Sequence, residues 1–175
     1  MTSSSGPRIR LKQEGISCLA PDELPAVNDN MVRGGPGMGN ISAAQSDYFQ
    51  ATRGGGHGDY KTIVLAPGSV QELTEVVPLA FDLADKYRNP VIILGDGMLG
   101  QMMEPVEFTY EAPDKLPVRA DALRGARDRP SRFVRTFTSN PAELEEVNWS
   151  LFRRYQLLQK NEVSWETYHT EDARL

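Results

Sequence analysis

The chain has 175 residues, enough for one domain with its own hydrophobic core. With 39% hydrophobic and 25% charged residues it has the make-up of an ordinary globular protein, and no apolar run reaches the length of a membrane-spanning helix. A net charge of -5 and a pI near 5.1 argue against nucleic acid or an anionic membrane as a partner.

In chain order, the first feature is Ser3-Ser4-Ser5-Gly6-Pro7, which reads either as a frayed terminus or as a loop that lets a phosphate or pyrimidine approach closely. A helix is expected over residues 11–19 and a short strand near Ala26. Arg33-Gly34-Gly35-Pro36-Gly37-Met38-Gly39-Asn40 follows. Its glycines permit positive φ, and consecutive N–H groups in such a loop can form an anion-binding concavity. Arg33 stands at its mouth, where a guanidinium fork suits a carboxylate or phosphate; the bland alternative is a tight turn with a solvated arginine. The loop lacks both the P-loop ending and the dinucleotide fingerprint. Residues 45–53 suit a short helix. A second glycine loop, residues 54–58, carries His57, read either as a contact to ligand or as a residue that holds the loop by a backbone hydrogen bond.

Residues 61–97 form the clearest unit. Thr62-Ile63-Val64-Leu65-Ala66 is an apolar run suited to a buried parallel strand, and Pro67-Gly68 breaks it. Ser69 and Glu72 have the spacing of a capping box. Val70, Leu73, Val77, Phe81, Ala84 and Tyr87 give the following helix an apolar stripe, with a kink expected at Pro78. Asn89-Pro90 ends it, and Val91-Ile92-Ile93-Leu94 is the next strand, with Gly95-Asp96-Gly97 at its end. This is a βαβ unit in an α/β fold.

Residues 103–135 lose periodicity among four prolines and read as an extended arm. Residues 119–135 hold six arginines against two aspartates, either a patch for an acidic partner or a solvated linker. A last helix begins at Ser139 or Asn140, with Pro141 in its first turn and Leu144, Val147, Leu151, Tyr155 and Leu158 as its apolar stripe. Cys18 is the only cysteine, so the chain has no intrachain disulfide, and one thiolate does not hold an iron–sulfur cluster. The start of the chain has no apolar stretch behind a basic head; a cytoplasmic location is expected. His57 and His169 are the only histidines, and no metal site is expected.

The segment from Arg33 to Asn40, together with residues 45–52, 54–60, 62–66 and 80–90 and the string Asp96-Gly97-Met98-Leu99-Gly100-Gln101-Met102-Met103-Glu104-Pro105, resembles the α subunits of 2-oxoacid:ferredoxin oxidoreductases, in wording closest to the 2-oxoisovalerate (branched-chain) type. The resemblance implies a partial parallel-sheet pyrimidine-binding domain for thiamine diphosphate over residues 1–108, a linking arm over 109–138, and a C-terminal helix and tail over 139–175. It implies that Arg33 binds the substrate carboxylate and that Ser4, Ser5, Gly6, Gly34 and Gly35 face the cofactor. The diphosphate, Mg²⁺ and an iron–sulfur cluster are implied on a β subunit, with a γ subunit, ferredoxin and coenzyme A as further partners. The cofactor carries the decarboxylation chemistry and the protein orients and tunes it. Such subunits begin earlier, with a threonine-bearing loop and a glutamate facing the aminopyrimidine. A chain truncated at both ends is therefore expected to be inactive alone, whether it is an enzyme fragment, a non-catalytic remnant that docks to partners, or a small-anion module. Arg8 and Pro21 stand where the family has glycine. Asn28-Asp29 stands where two β-branched apolar residues are expected, which implies a displaced or exposed strand.

Overall fold

A computed structural model describes residues 1–111, 119, 122, 125, 127–131, 133–135, 137–162 and 170–171. The elements run β1 (Thr2–Ser4), α1 (Pro7–Leu19), β2 (Ala26–Val32), α2 (Tyr48–Arg53), β3 (Ile63–Leu65), α3 (Val70–Tyr87), β4 (Pro90–Asp96) and α4 (Pro141–Asn161). Residues 112–118 and several others of the expected arm, two of its six arginines among them, and the segment that includes His169 lie outside the described residues.

The four strands form one parallel sheet of order β1-β2-β4-β3. This bears out the α/β reading, and β3-α3-β4 is the expected βαβ unit. Ser69 caps α3 by accepting from the Glu72 N–H at 3.1 Å, while the Glu72 carboxylate accepts from the Gly68 N–H at 2.7 Å, one residue before the cap. The helix runs on through Pro78 to Tyr87.

Its buried face is the expected stripe shifted to one side: Ala84 and Tyr87 are buried and Leu73 and Val77 pack at the margin of the core, but Val76, Ala80 and Leu83 join it and Phe81 does not. Val76, Ala80, Leu83, Ala84 and Tyr87 pack with Val27, Val91 and Ile93, while Phe81 is 47% exposed. Ala80 and Ala84 carry almost no side chain, so this face lets the helix approach the sheet closely; the bulkier Leu73–Val77–Phe81 row is turned to one side. In α4 the same shift is seen: Leu151 and Tyr155 are buried, but Leu144 is 48% exposed.

Two expectations near the start of the chain are overturned. Thr2, Ser3 and Ser4 form a strand paired with Asn28, Asp29 and Asn30, and α1 begins at Pro7 rather than Leu11, with proline in the first turn where its missing N–H is harmless. β2 is neither displaced nor exposed: it lies between β1 and β4, with Asn28, Asp29 and Asn30 all buried. The polar run is partly satisfied: Asp29 and Asn30 each find one side-chain partner, while Asn28 Nδ2, Asp29 Oδ1 and Asn30 Oδ1 have none among the described residues. The Ser3 hydroxyl donates to the Asp29 carboxylate at 2.6 Å, and the Asn30 amide donates to Asp47 at 3.2 Å. Burial still pushes the Asp29 carboxyl above its ordinary range, against the opposing pull of Ser3 and Lys12.

At the N-terminal edge of the sheet, α4 ties the layers together. Tyr155 accepts from the Lys61 N–H at 3.0 Å, and Asn89 donates to the Lys61 carbonyl at 3.1 Å. Arg154 reaches the Ala20 carbonyl at 3.4 Å and the Arg88 carbonyl at 3.2 Å. These carbonyls end α1 and α3, so a cation sits at the negative ends of two helices.

Candidate functional site

Because all four strands are parallel, their C-terminal ends share one edge, the usual location of ligands in open α/β sheets. β1 and β2 are neighbours, with Ser4 opposite Asn30, so the turns that follow them must meet. The turn after β1 is Ser5-Gly6, and the turn after β2 opens with Arg33.

They meet closely. A methyl group on Gly6 would lie 2.9 Å from Nη2, 3.0 Å from Cζ and 3.1 Å from Nε of Arg33. Gly6 has φ 57 and ψ -130, a conformation open in practice to glycine alone. The Arg33 Nη1 group donates to the Met38 carbonyl at 2.5 Å and the Asn40 carbonyl at 2.9 Å, which uses both of its hydrogens. What remains is the Nε–Nη2 edge, the side-on fork that fits a carboxylate with two parallel hydrogen bonds. Gly6, the N-cap of α1, lies against the flat face of the guanidinium, with Cζ as near as the two nitrogens, and has no side-chain cap. The first turn of a 13-residue helix adds a positive partial charge there. The Ser5 hydroxyl oxygen is buried beside it and, among the described residues, has no hydrogen-bond partner.

The glycine loop after Arg33 works as a clamp more than as an anion nest. The Gly34 N–H donates to the Ser42 carbonyl at 2.8 Å and the Asn40 N–H to the Gly34 carbonyl at 2.9 Å, so two of its N–H groups are spent inside the loop. Gly39, at φ 58, is forced: a methyl there would fall 1.7 Å from the Gly34 oxygen. Gly35 has open space in front of it. Sequence reading quoted Asn40 without giving it a role; its only signal was an Asn closing a glycine run.

On the other side of β2, the same edge holds a cleft of about 580 Å³, lined by Val32, Leu94, Leu99 and Met102 with Tyr48 and Asp96. Asp96 accepts from the Met98 and Leu99 N–H groups at 2.9 and 2.8 Å, which folds the turn after β4 into the cleft wall.

His57 is not brought to Arg33. Its loop precedes β3 and lies at the N-terminal edge, facing α4 across another cleft. The Tyr60 hydroxyl, not a histidine bond, holds that loop, accepting from the Gly55 and Gly56 N–H groups at 3.2 and 3.0 Å and donating to Gln13 at 3.0 Å. Gly56 is there for close packing, since a methyl would meet Ser17 Cβ at 2.6 Å. Among the described residues no group of His, Cys, Asp and Glu could hold a metal ion, and no helix is long and apolar enough to cross a membrane.

A parallel α/β domain that presents an arginine between two glycine turns at the C-terminal edge of its sheet has the layout of a ligand-binding domain of the open α/β class. Residues 1–166 match the family described as pyruvate flavodoxin/ferredoxin oxidoreductase, thiamine diphosphate-binding, and the chain belongs to it. It is 51% identical over all 175 residues to ketoisovalerate oxidoreductase subunit VorB of Methanothermobacter marburgensis, covering 50% of that protein. It is 42% identical over 135 residues to 2-oxoglutarate synthase subunit KorA of Methanothermobacter thermautotrophicus, over 77% of this chain and 34% of that one. The fold matches that of 2-oxoglutarate:ferredoxin oxidoreductase from Magnetococcus marinus, solved with 2-oxoglutarate, coenzyme A and succinyl-CoA bound. The TM-score is 0.70 at 24% identity, over 94% of this chain and 33% of that one. The chain spans about half the length of the ketoisovalerate oxidoreductase subunits it matches.

Proposed function

We propose that this chain is part of the α subunit of a thiamine-diphosphate-dependent 2-oxoacid:ferredoxin oxidoreductase of the branched-chain type, in which Arg33 holds the carboxylate of 2-oxoisovalerate. The observation that carries this reading is the Arg33 guanidinium packed flat over Gly6 at the N-terminus of α1, its Nη1 group held by the loop and its Nε–Nη2 edge without a partner among the described residues. A guanidinium stays charged at any working pH, and its side-on fork matches two carboxylate oxygens. Residues 1–108 form the partial pyrimidine-binding domain, 109–138 the linking arm, and 139–175 the closing helix and tail.

Ser5, Gly6 and Gly35 fit a cofactor edge: a buried hydroxyl lacks a partner, and two glycines leave room in which a side chain would intrude or stand. Bound thiamine diphosphate would supply the carbon nucleophile and the electron sink for loss of CO₂. This chain's residues bind and orient. Arg33 fixes the carboxylate, the α1 N-terminus stabilises its negative charge, and Ser4, Ser5, Gly34 and Gly35 shape the approach. Iron–sulfur clusters on other subunits would carry the two electrons of the oxidation to ferredoxin, and coenzyme A would take the acyl group. A β subunit supplies the Mg²⁺–diphosphate site, and a γ subunit completes the assembly in the cytoplasm. His57, at the far edge, takes no part in binding substrate.

The test is a titration of the isotope-labelled chain with 2-oxoisovalerate, followed by NMR at the Gly6 N–H and Arg33 Nε–H. Saturable shifts are expected at both. A charge-assisted fork contributes about 1.5–3 kcal/mol, so Arg33→Ala should weaken binding roughly ten- to a hundredfold. Equal affinity in Arg33→Ala, or no shift at Gly6, would overturn the reading.

A further inference from the structure

We infer that Asn40 is a positioning residue for the 2-oxoacid site: it holds the Arg33 guanidinium in one orientation, flat over Gly6, with its Nη1 group engaged and its Nε–Nη2 edge left for the carboxylate. This rests on the reading of Arg33 as the carboxylate holder.

A free arginine side chain offers a carboxylate two edges, the side-on Nε–Nη2 edge and the end-on Nη1–Nη2 edge, on a long flexible stem. Here one edge is blocked, because both Nη1 hydrogens go to carbonyls of the loop that follows, Met38 and Asn40. Whether those carbonyls stay in place depends on how the loop is closed, and Asn40 closes it in three ways at once. Its N–H donates to the Gly34 carbonyl at 2.9 Å. Its side-chain oxygen accepts from the Ser42 N–H at 2.9 Å. The same side chain lies over the Cα of Gly34, so near that a methyl on Gly34 would sit 2.6 Å from Asn40 Oδ1. Asn40 thus joins the residue after Arg33 to the residue before the Arg33–Ala43 bridge, while its own carbonyl receives the guanidinium.

The surroundings favour a positioning role over a stabilising one. Asn40 is exposed, as are the hydrogen bonds it makes, so their net contribution to folding is small. Fixing a long side chain in one geometry is what they achieve, and orientation of this kind weighs heavily on affinity and rate. A shorter residue at position 40 would leave the Ser42 N–H to water and let the Met38–Asn40 carbonyls drift away from Nη1. Arg33 would then present either edge, and the carboxylate would no longer be held in one orientation.

The experiment uses the full 175-residue chain with arginine-labelled nitrogen, as wild type, Asn40→Ala, Asn40→Asp and Arg33→Ala. The first readout, without ligand, is the rate of rotation of the Arg33 guanidinium about its Nε–Cζ bond. Rotation is expected to be slow in wild type and in Asn40→Asp, which keeps the acceptor for the Ser42 N–H, and about tenfold faster in Asn40→Ala. The second readout is 2-oxoisovalerate affinity, expected to fall roughly tenfold in Asn40→Ala while the urea midpoint stays near that of wild type. Slow rotation in Asn40→Ala overturns the inference whatever the ligand does, as does an affinity equal to wild type. If Arg33→Ala binds as tightly as wild type, the reading of Arg33 fails; if only Asn40→Ala does, the role of Asn40 fails alone.

Discussion

Gly6→Ala is the sharpest single perturbation of the site. At φ 57 and ψ -130 an added Cβ forces a backbone conformation that L-residues hardly populate, at a cost of about 1–3 kcal/mol. The same methyl would stand 2.9 Å from Arg33 Nη2, closer than a carbon and a nitrogen normally approach. The guanidinium has little freedom to retreat, because Met38 and Asn40 hold its Nη1 group. Displacing it weakens those two bonds, adding about 1 kcal/mol for exposed partners, so the sum is about 2–4 kcal/mol. Urea unfolding of Gly6→Ala, Arg33→Ala and the double variant separates the parts. In the Arg33→Ala background the collision disappears and only the backbone strain remains, so the two substitutions should be non-additive by about 1 kcal/mol. The methyl also presses on the face of the guanidinium and tilts the fork, so 2-oxoisovalerate affinity should fall in Gly6→Ala. Additive effects within a few tenths of a kcal/mol, with unaltered ligand affinity, would refute the proposed contact between the two turns.

Two further predictions concern the scaffold. Burial raises the Asp29 carboxyl above its ordinary value of 3.8, so the folded chain binds that proton more tightly than the unfolded chain. Its contribution to stability is therefore largest below the unfolded value and is lost as pH rises through the folded one. Asp29→Asn keeps an acceptor for Ser3 and should stabilise the chain more near pH 7, where the buried carboxylate is charged, than near pH 3. Equal gains at both pH values in urea unfolding would show that burial of the charge is not the cause. Tyr155→Phe removes the acceptor for the Lys61 N–H in a buried setting and should cost about 1–2 kcal/mol. Amide exchange at Lys61 should quicken by a similar free energy; an unchanged rate would mean that α4 is not held at that point.

The β3-α3-β4 unit was legible because local signals agree there: an apolar run, a capping box, a helical stripe and a second apolar run. What local pattern could not supply was the helix rotation, since two adjoining rows in α3 are apolar and only the sheet decides in favour of Ala80 and Ala84. β1 and β2 were misread for a non-local reason. Asn28-Asp29-Asn30 looks unfit for a central strand until Ser3, 26 residues away, supplies the hydroxyl that Asp29 needs. Thr2–Ser4 looks frayed until β2 is beside it. The site follows the same logic. Arg33 and its glycine loop were visible as a motif, but the contact with Gly6 depends on the pairing of β1 with β2, which no periodicity in either segment encodes.

That dependence separates the two edges of the sheet by role. At the N-terminal edge the polar groups are turned inward and paired: Asn89 with Lys61, Tyr155 with Lys61, Gln13 with Tyr60, and Arg154 with the ends of two helices. Each is costly to break, and the atoms left without a partner there among the described residues, Gln13 Nε2 and Asn89 Oδ1, are fully buried. At the C-terminal edge the bonds around Arg33 are exposed and weak one by one, yet they leave a cationic fork and a buried Ser5 hydroxyl oxygen without protein partners. Substitutions at the first edge should therefore change unfolding with little effect on 2-oxoacid affinity, and substitutions at Asn40 or Arg33 the reverse. His57 belongs with the first edge despite its glycine loop, because position along the strands, rather than local composition, decides which side chains meet a substrate.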